Sequence, residues 1–198
     1  MKLLPIKIPE GSSVNDAFDS CNEIFKKGFL TKENRPMLKG CDIYVPIYFH
    51  SDKKSEVFWH ISSLSPKEVL RPNILPCNND IASDICDENC WTENEAEQMK
   101  DLSIRTKCLY RASRIAWIKE VIELYNNNDS RVQYWEKMNS NKKIRLYLRY
   151  IEDENDFLVV FEGKGIGNVV FITAFPVFFM NAKKDYTNDY LAYKNRQS

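Results

Sequence analysis

Residues 144–176 read IRLYLRYIEDENDFLVVFEGKGIGNVVFITAFP, and this stretch decides the fold class. Ile144, Leu146, Leu148 and Tyr150 alternate with Arg145, Tyr147 and Arg149. Successive side chains of a strand point to opposite faces, so this strand has one apolar and one basic face. Glu152–Asp156 supplies a turn, and Phe157-Leu-Val-Val-Phe161 is the unbroken apolar run expected of a central strand. Gly163, Gly165 and Gly167 make the next turn, and Asn168–Phe175 is a third strand that Pro176 ends. Connections this short join antiparallel neighbours, so the stretch predicts a three-stranded meander.

Upstream, Lys107–Tyr125 predicts a helix, with Ile115, Ile118, Ile122 and Tyr125 on one stripe. Asn126–Asp129 ends it, and a short helix carrying Val132 and Trp135 is expected next. Nearer the N-terminus, Ser12 or Ser13 caps a helix over Val14–Lys27, which Gly28 stops. Asp42–Phe49 and Glu56–Ile61 read as the two arms of a β-hairpin. Ser62–Asn94, with Pro66, Pro72 and Pro76, reads as irregular and outside the core. The tail Asp185–Ser198 is expected to close the chain as a helix. The prediction is therefore an α+β fold: N-terminal helix and β-hairpin, then a helix followed by an antiparallel β-meander. Residues 1–35 would be a helical extension to a domain at 36–198.

The 198 residues, 43 % hydrophobic and 13 % aromatic, suffice for a packed core. No apolar run approaches the roughly 20 residues of a membrane helix. Pro5 and Pro9 interrupt the short apolar N-terminus, which predicts a cytosolic chain without a signal peptide. In that compartment the six cysteines are expected to be free thiols. Formal net charge is zero, but its distribution is uneven. Cys77–Met99 holds seven acidic and no basic residues, whereas Lys100–Tyr150 holds twelve basic and five acidic ones. A basic face on a neutral protein is the expected outcome.

Only His50 and His60 can supply imidazole chemistry. His60 lies in Phe-Trp-His-Ile, where its environment can tune it as a general acid or base; a purely structural histidine is the alternative. Arg111 and Arg114, three apart on one helix face, could clamp a phosphate or could pair with surface carboxylates. Arg145 and Arg149 with Tyr147 between them suit single-stranded RNA, whose bases stack and whose phosphates pair with arginine. Thr173 is the polar exception in its strand and needs a partner, whether structural or a phosphate. Cys77, Cys86, Cys90 and Cys108 depart from the paired C-x2-C spacing of strong zinc motifs, which leaves a zinc-stapled structural protein as a minor alternative. There is no Walker A loop, H-E-x-x-H or G-x-S-x-G motif.

Three segments carry a resemblance: Phe58-Trp59-His60-Ile61, Tyr110-Arg111-Ala-Ser-Arg114-Ile115-Ala-Trp117-Ile118, and Phe157-Leu-Val-Val through Phe171-Ile-Thr173-Ala174-Phe175-Pro176-Val177. Together, over about Pro36 to Tyr193, the chain resembles the phage-associated branch of the barnase–EndoU–colicin–RelE-like ribonuclease superfamily. The resemblance implies helices packed on a four-stranded antiparallel sheet and RNA cleavage without metal or other cofactor. It implies His60 as acid or base, Arg111 and Arg114 at the phosphate, and Thr173 completing the site. RNA, either tRNA or another structured or single-stranded molecule, would be the partner. A toxin or mobile-element effector of this type would also meet a protein inhibitor. A non-catalytic RNA- or protein-binding module on the same fold is the alternative. The acidic, cysteine-bearing stretch at about 77–97 departs from the family pattern as an insertion. It is expected to fold over the basic face and limit access.

Overall fold

A computed structural model of the chain describes residues 2–48, 53–65, 68, 96–98 and 104–197. The fold is α+β, and the chain divides into two compact units. One comprises Met1–Lys2, Lys32–Pro46 and Ile118–Ser198; the other comprises Leu3–Thr31 and Ile47–Trp117. These units cut the chain elsewhere than at residue 35.

The first unit is built on a five-stranded sheet of order β1-β8-β7-β6-β5. Its strands are β1 (Asp42–Tyr44), β5 (Val132–Met138), β6 (Ile144–Glu152), β7 (Asn155–Gly163) and β8 (Asn168–Pro176). β5 to β8 pair antiparallel, and β1 adds to the edge of β8 in parallel, Asp42 opposite Asn168. The meander thus has four strands, one more than its sequence predicts. Gly165 and Gly167 take φ of 71° and 76° in the β7–β8 turn, a region that Cβ-bearing residues avoid. β7 is central, as its apolar run requires.

The expected short helix at Val132–Trp135 is strand β5 instead. Val132 and Trp135 are also separated as helix neighbours would be, which misdirects the reading. The full seven-residue register with β6 and the burial of Trp135 decide for the strand. One sheet face buries Leu148, Tyr150, Phe157, Val159 and Phe161; on this unit's helix α4 (Trp117–Asn126), Tyr125 stacks on Tyr134 of β5. The other face carries Trp135, Leu158, Val160 and Val177. The C-terminal helix α5 (Met180–Gln197) lies on it through Ala182, Tyr186, Tyr190 and Tyr193.

The second unit contains α1 (Val14–Phe25), α2 (Glu56–Ser62), α3 (Leu109–Ala112) and a small sheet β2-β4-β3. Its strands are Ser63–Leu64, Ile104–Lys107 and Ala96–Gln98 respectively. Ser13 caps α1 by accepting the Asp16 amide at 3.1 Å. The helix runs on through a π-turn at Lys26–Leu30, so Gly28 does not stop it.

Three expectations fail here. Glu56–Ile61 is helix α2, not a hairpin arm. Ser55 Oγ accepts the Phe58 amide at 3.2 Å, and helical spacing buries Phe58, Trp59, Ile61 and Ser62 while leaving His60 exposed. The stretch beginning at Ser62 is not wholly outside the core either, because Ser63 and Leu64 are fully buried in β2. The helix expected over Lys107–Tyr125 is likewise broken. β4 holds Lys107, α3 ends at Ala112, and tight turns separate it from α4.

Candidate active site

The end of α2 gathers a dense set of side-chain hydrogen bonds in the second unit. Three serines there turn hydroxyls onto backbone or carboxylate: Ser62 Oγ donates to the Phe58 carbonyl at 2.6 Å, Ser63 Oγ donates to that of Trp59, and Ser65 Oγ donates to Glu68 at 2.8 Å. The last carbonyls of a helix have no intrahelical donor. Here arginines supply it. Arg105 Nη2 donates to the His60 carbonyl at 3.0 Å and to that of Ser63 at 2.9 Å, and its Nε donates to Ser63 Oγ at 2.7 Å. Arg111 Nη1 donates to the same Ser63 carbonyl at 2.9 Å, and its Nη2 pairs with Glu68. Two guanidiniums therefore converge on the Ser63 carbonyl, and one of them also holds the backbone carbonyl of the exposed His60.

Burial opposes the Glu68 charge, but Arg111 and the Ser65 amide and hydroxyl outweigh it and hold the carboxyl below its usual range. A carboxyl depressed on folding stabilises the fold above its unfolded pKa, and that contribution is lost as pH falls through the folded value. The stability difference between wild type and Glu68→Gln should therefore be largest at neutral pH and shrink below about pH 4. Urea unfolding across this range measures it; a difference that grows in acid would contradict the pairing.

Arg114 does not join Arg111 on a helix face. It lies beyond the end of α3, its guanidinium carbon 3.5 Å from the Tyr110 ring centroid, and Nη1 donates to the Tyr110 carbonyl at 3.0 Å. Both arginines are buried. Thr173 belongs to the other unit, half-buried on β8 opposite Val160 and beside a bulge.

The basic strand face is in that unit too, and it is neither bare nor uncompensated. Arg149 is 3 % exposed and holds Asp156 through two bonds of 2.8 and 2.6 Å, with Nη1 donating to Thr187 of α5 at 2.9 Å. Arg145 pairs with Glu162 at 3.0 Å, and Lys143 reaches the same carboxylate at 2.7 Å. The bond from Lys143 acts first in keeping the Glu162 carboxyl low. Tyr147 stacks on Trp135 with centroids 4.9 Å apart.

Cys108 is buried just before α3. Cys77, Cys86 and Cys90, with His50 and nearly all of the acidic stretch, lie outside the described residues. No cluster of three or more metal-ligating side chains occurs among the described residues. Burial pushes the Cys21 thiol up to about 12, which keeps it protonated. No helix among the described residues is long and apolar enough to cross a membrane.

Sequence reasoning passed over Arg105 and Glu68. Arg105 is one of many basic residues in its region, and Glu68 falls in the stretch read as irregular. Comparison with known proteins finds no matching family model, curated protein or solved structure.

Proposed function

We propose that this chain is a metal-independent endoribonuclease in which His60 transfers protons and the arginines beside it stabilise charge at phosphorus. The observation that carries this reading is the exposed His60 at a helix end where Arg105 and Arg111 converge. Attack by an RNA 2′-hydroxyl on the adjacent phosphorus requires removal of one proton, delivery of another to the departing 5′-oxygen, and stabilisation of the extra negative charge. An imidazole serves either proton transfer. A phosphate can replace the Glu68 carboxylate on Arg111, because a guanidinium fork accepts both anions in the same geometry. The barnase–EndoU–colicin–RelE-like resemblance assigns the same roles to His60 and Arg111, with Arg114 as a further member; the Thr173 that it also names belongs to the sheet unit and has no part in this reading. In that setting the substrate is tRNA or another partly single-stranded RNA, and a toxin or mobile-element role with a protein inhibitor follows.

The second reading is a binding module without catalysis. The structural work of Arg111, Arg114 and Arg149 favours it, since each is buried against partners within its own unit. Cleavage of labelled total RNA and tRNA in excess EDTA separates the two. Wild type should cleave, and His60→Ala should be about 10²- to 10⁴-fold slower, the usual range for a lost acid–base group. Intact RNA with folded wild type, also after metal is restored, would leave the binding module as the function.

A further inference from the structure

The C-terminal helix α5 covers its sheet face in an unusual manner. None of its 18 residues is buried, and apart from Ala182 it meets the sheet through tyrosine rings and polar groups. Tyr186 and Tyr190 stand 6.1 and 6.4 Å from the Trp135 ring, Asp189 takes the Lys137 ammonium at 2.9 and 2.8 Å, and Thr187 takes Arg149. Beneath it, two side-chain atoms on β5, Trp135 Nε1 and Gln133 Oε1, are buried without a hydrogen-bond partner among the described residues. A buried polar group left unpaired gives up its hydration with nothing in return, so the helix satisfies this face incompletely.

The face itself has the features of a nucleic-acid platform. Trp135 and Tyr147 are cross-strand partners stacked within 3° of parallel. Lys137, Arg145 and Arg149 flank them on the same face, and Lys143 stands in the turn just before β6. At that end a cleft of about 670 Å³ opens between the two hairpin turns, lined by Lys142, Lys143, Glu162 and Lys164. Stacking aromatics bordered by cations suit single strands, because every base offers a π-face and every linkage a phosphate. A base edge could also supply the donors and acceptors that Gln133 and Trp135 lack.

We propose that the sheet face beneath α5, from Lys143 through Arg145, Tyr147 and Trp135 to Lys137, is a binding surface for single-stranded RNA that α5 occludes and RNA displaces. In α5 the tyrosine rings take the place of bases and Asp189 that of a phosphate. The inference takes its ligand class from the RNA reading above but requires no cleavage, and all its residues lie in the sheet unit.

The test uses the full chain and a fluorescein-labelled 2′-O-methyl oligouridylate of about 12 nucleotides, a site size typical of such surfaces. This probe lacks the 2′-hydroxyl nucleophile, so binding is read independently of nuclease activity. Asn188 is exposed in the middle of α5, and proline there breaks a helix. By fluorescence anisotropy, Asn188→Pro should bind at least tenfold tighter than wild type or Asn188→Ala. Its α5 amides should lose their protection from hydrogen exchange. Adding Tyr147→Ala should abolish the gain. Should Asn188→Pro not fold, Asp189→Lys, which sets like charges against Lys137, takes its place. The proposal is overturned if α5 opens and affinity stays within twofold of wild type, or if α5 remains protected in both variants. It is equally overturned if the opened chain self-associates without gaining RNA affinity, or if polyglutamate competes as well as RNA.

Discussion

Asp156→Ala should destabilise the protein by about 3–5 kcal/mol, the usual cost of removing one member of a buried ion pair. Arg149 is 3 % exposed, so loss of the carboxylate leaves a buried guanidinium without its counter-charge, facing Leu158 and the underside of α5. Among the described residues Thr187 remains to accept from it, and a hydroxyl does not neutralise. Arg149→Met removes the other member and leaves the Asp156 carboxyl buried without its partner, so this variant should be destabilised as well. Replacing both, as Arg149→Met with Asp156→Leu, should bring stability back to within about 1 kcal/mol of wild type or above it, since the desolvation cost of both charges disappears. Urea unfolding of the three variants measures the series. An Asp156→Ala loss below about 1 kcal/mol would mean that water reaches the pair.

The second large effect is a contrast between neighbours. Trp59→Ala should cost about 3–5 kcal/mol, whereas His60→Ala should change stability by less than about 0.5 kcal/mol. The Trp59 indole is fully buried, 5.1 Å from the Phe18 ring, and Phe18 in turn meets Phe58 edge-on at 4.8 Å. Truncation empties the centre of that aromatic cluster. One residue on, α2 has turned His60 out to the surface, and Arg105 contacts its carbonyl, which any residue supplies. With the stability of His60→Ala in hand, a change in its RNA cleavage reports on chemistry. Thermal unfolding of both variants checks the contrast; a comparable loss for His60→Ala would assign its imidazole a structural role.

This contrast shows where the sequence is legible. The strands β6, β7 and β8 announce themselves because alternation, an unbroken apolar run and glycine turns agree. α1 does so through its serine cap and helical spacing. Phe58-Trp59-His60-Ile61 is rich in bulky residues that suit a strand as well as a buried helix. Its state is fixed by the Ser55 cap and by Phe18, which is distant in sequence. For β5, the pairing partner that decides its state lies across a turn. Of the candidate site, the residue types are legible and their engagements are not. Periodicity places Arg145 and Arg149 on one face correctly, but it carries no information about Asp156, Glu162 or α5. It also gives no warning that the chain leaves the helix before Arg114, so that Arg111 and Arg114 take separate partners.

The parallel edge strand has a consequence for the order of folding. β5 to β8 are linked by short turns and can zip locally, whereas pairing Asp42 with Asn168 joins positions separated by well over half the chain. Loop-closure entropy must be met before that contact contributes, which makes docking of β1 a late event. Between the two segments of the sheet unit that must meet runs the bulk of the other unit, residues 47–117. Weakening the β1–β8 pairing should therefore accelerate unfolding while leaving the refolding rate nearly untouched.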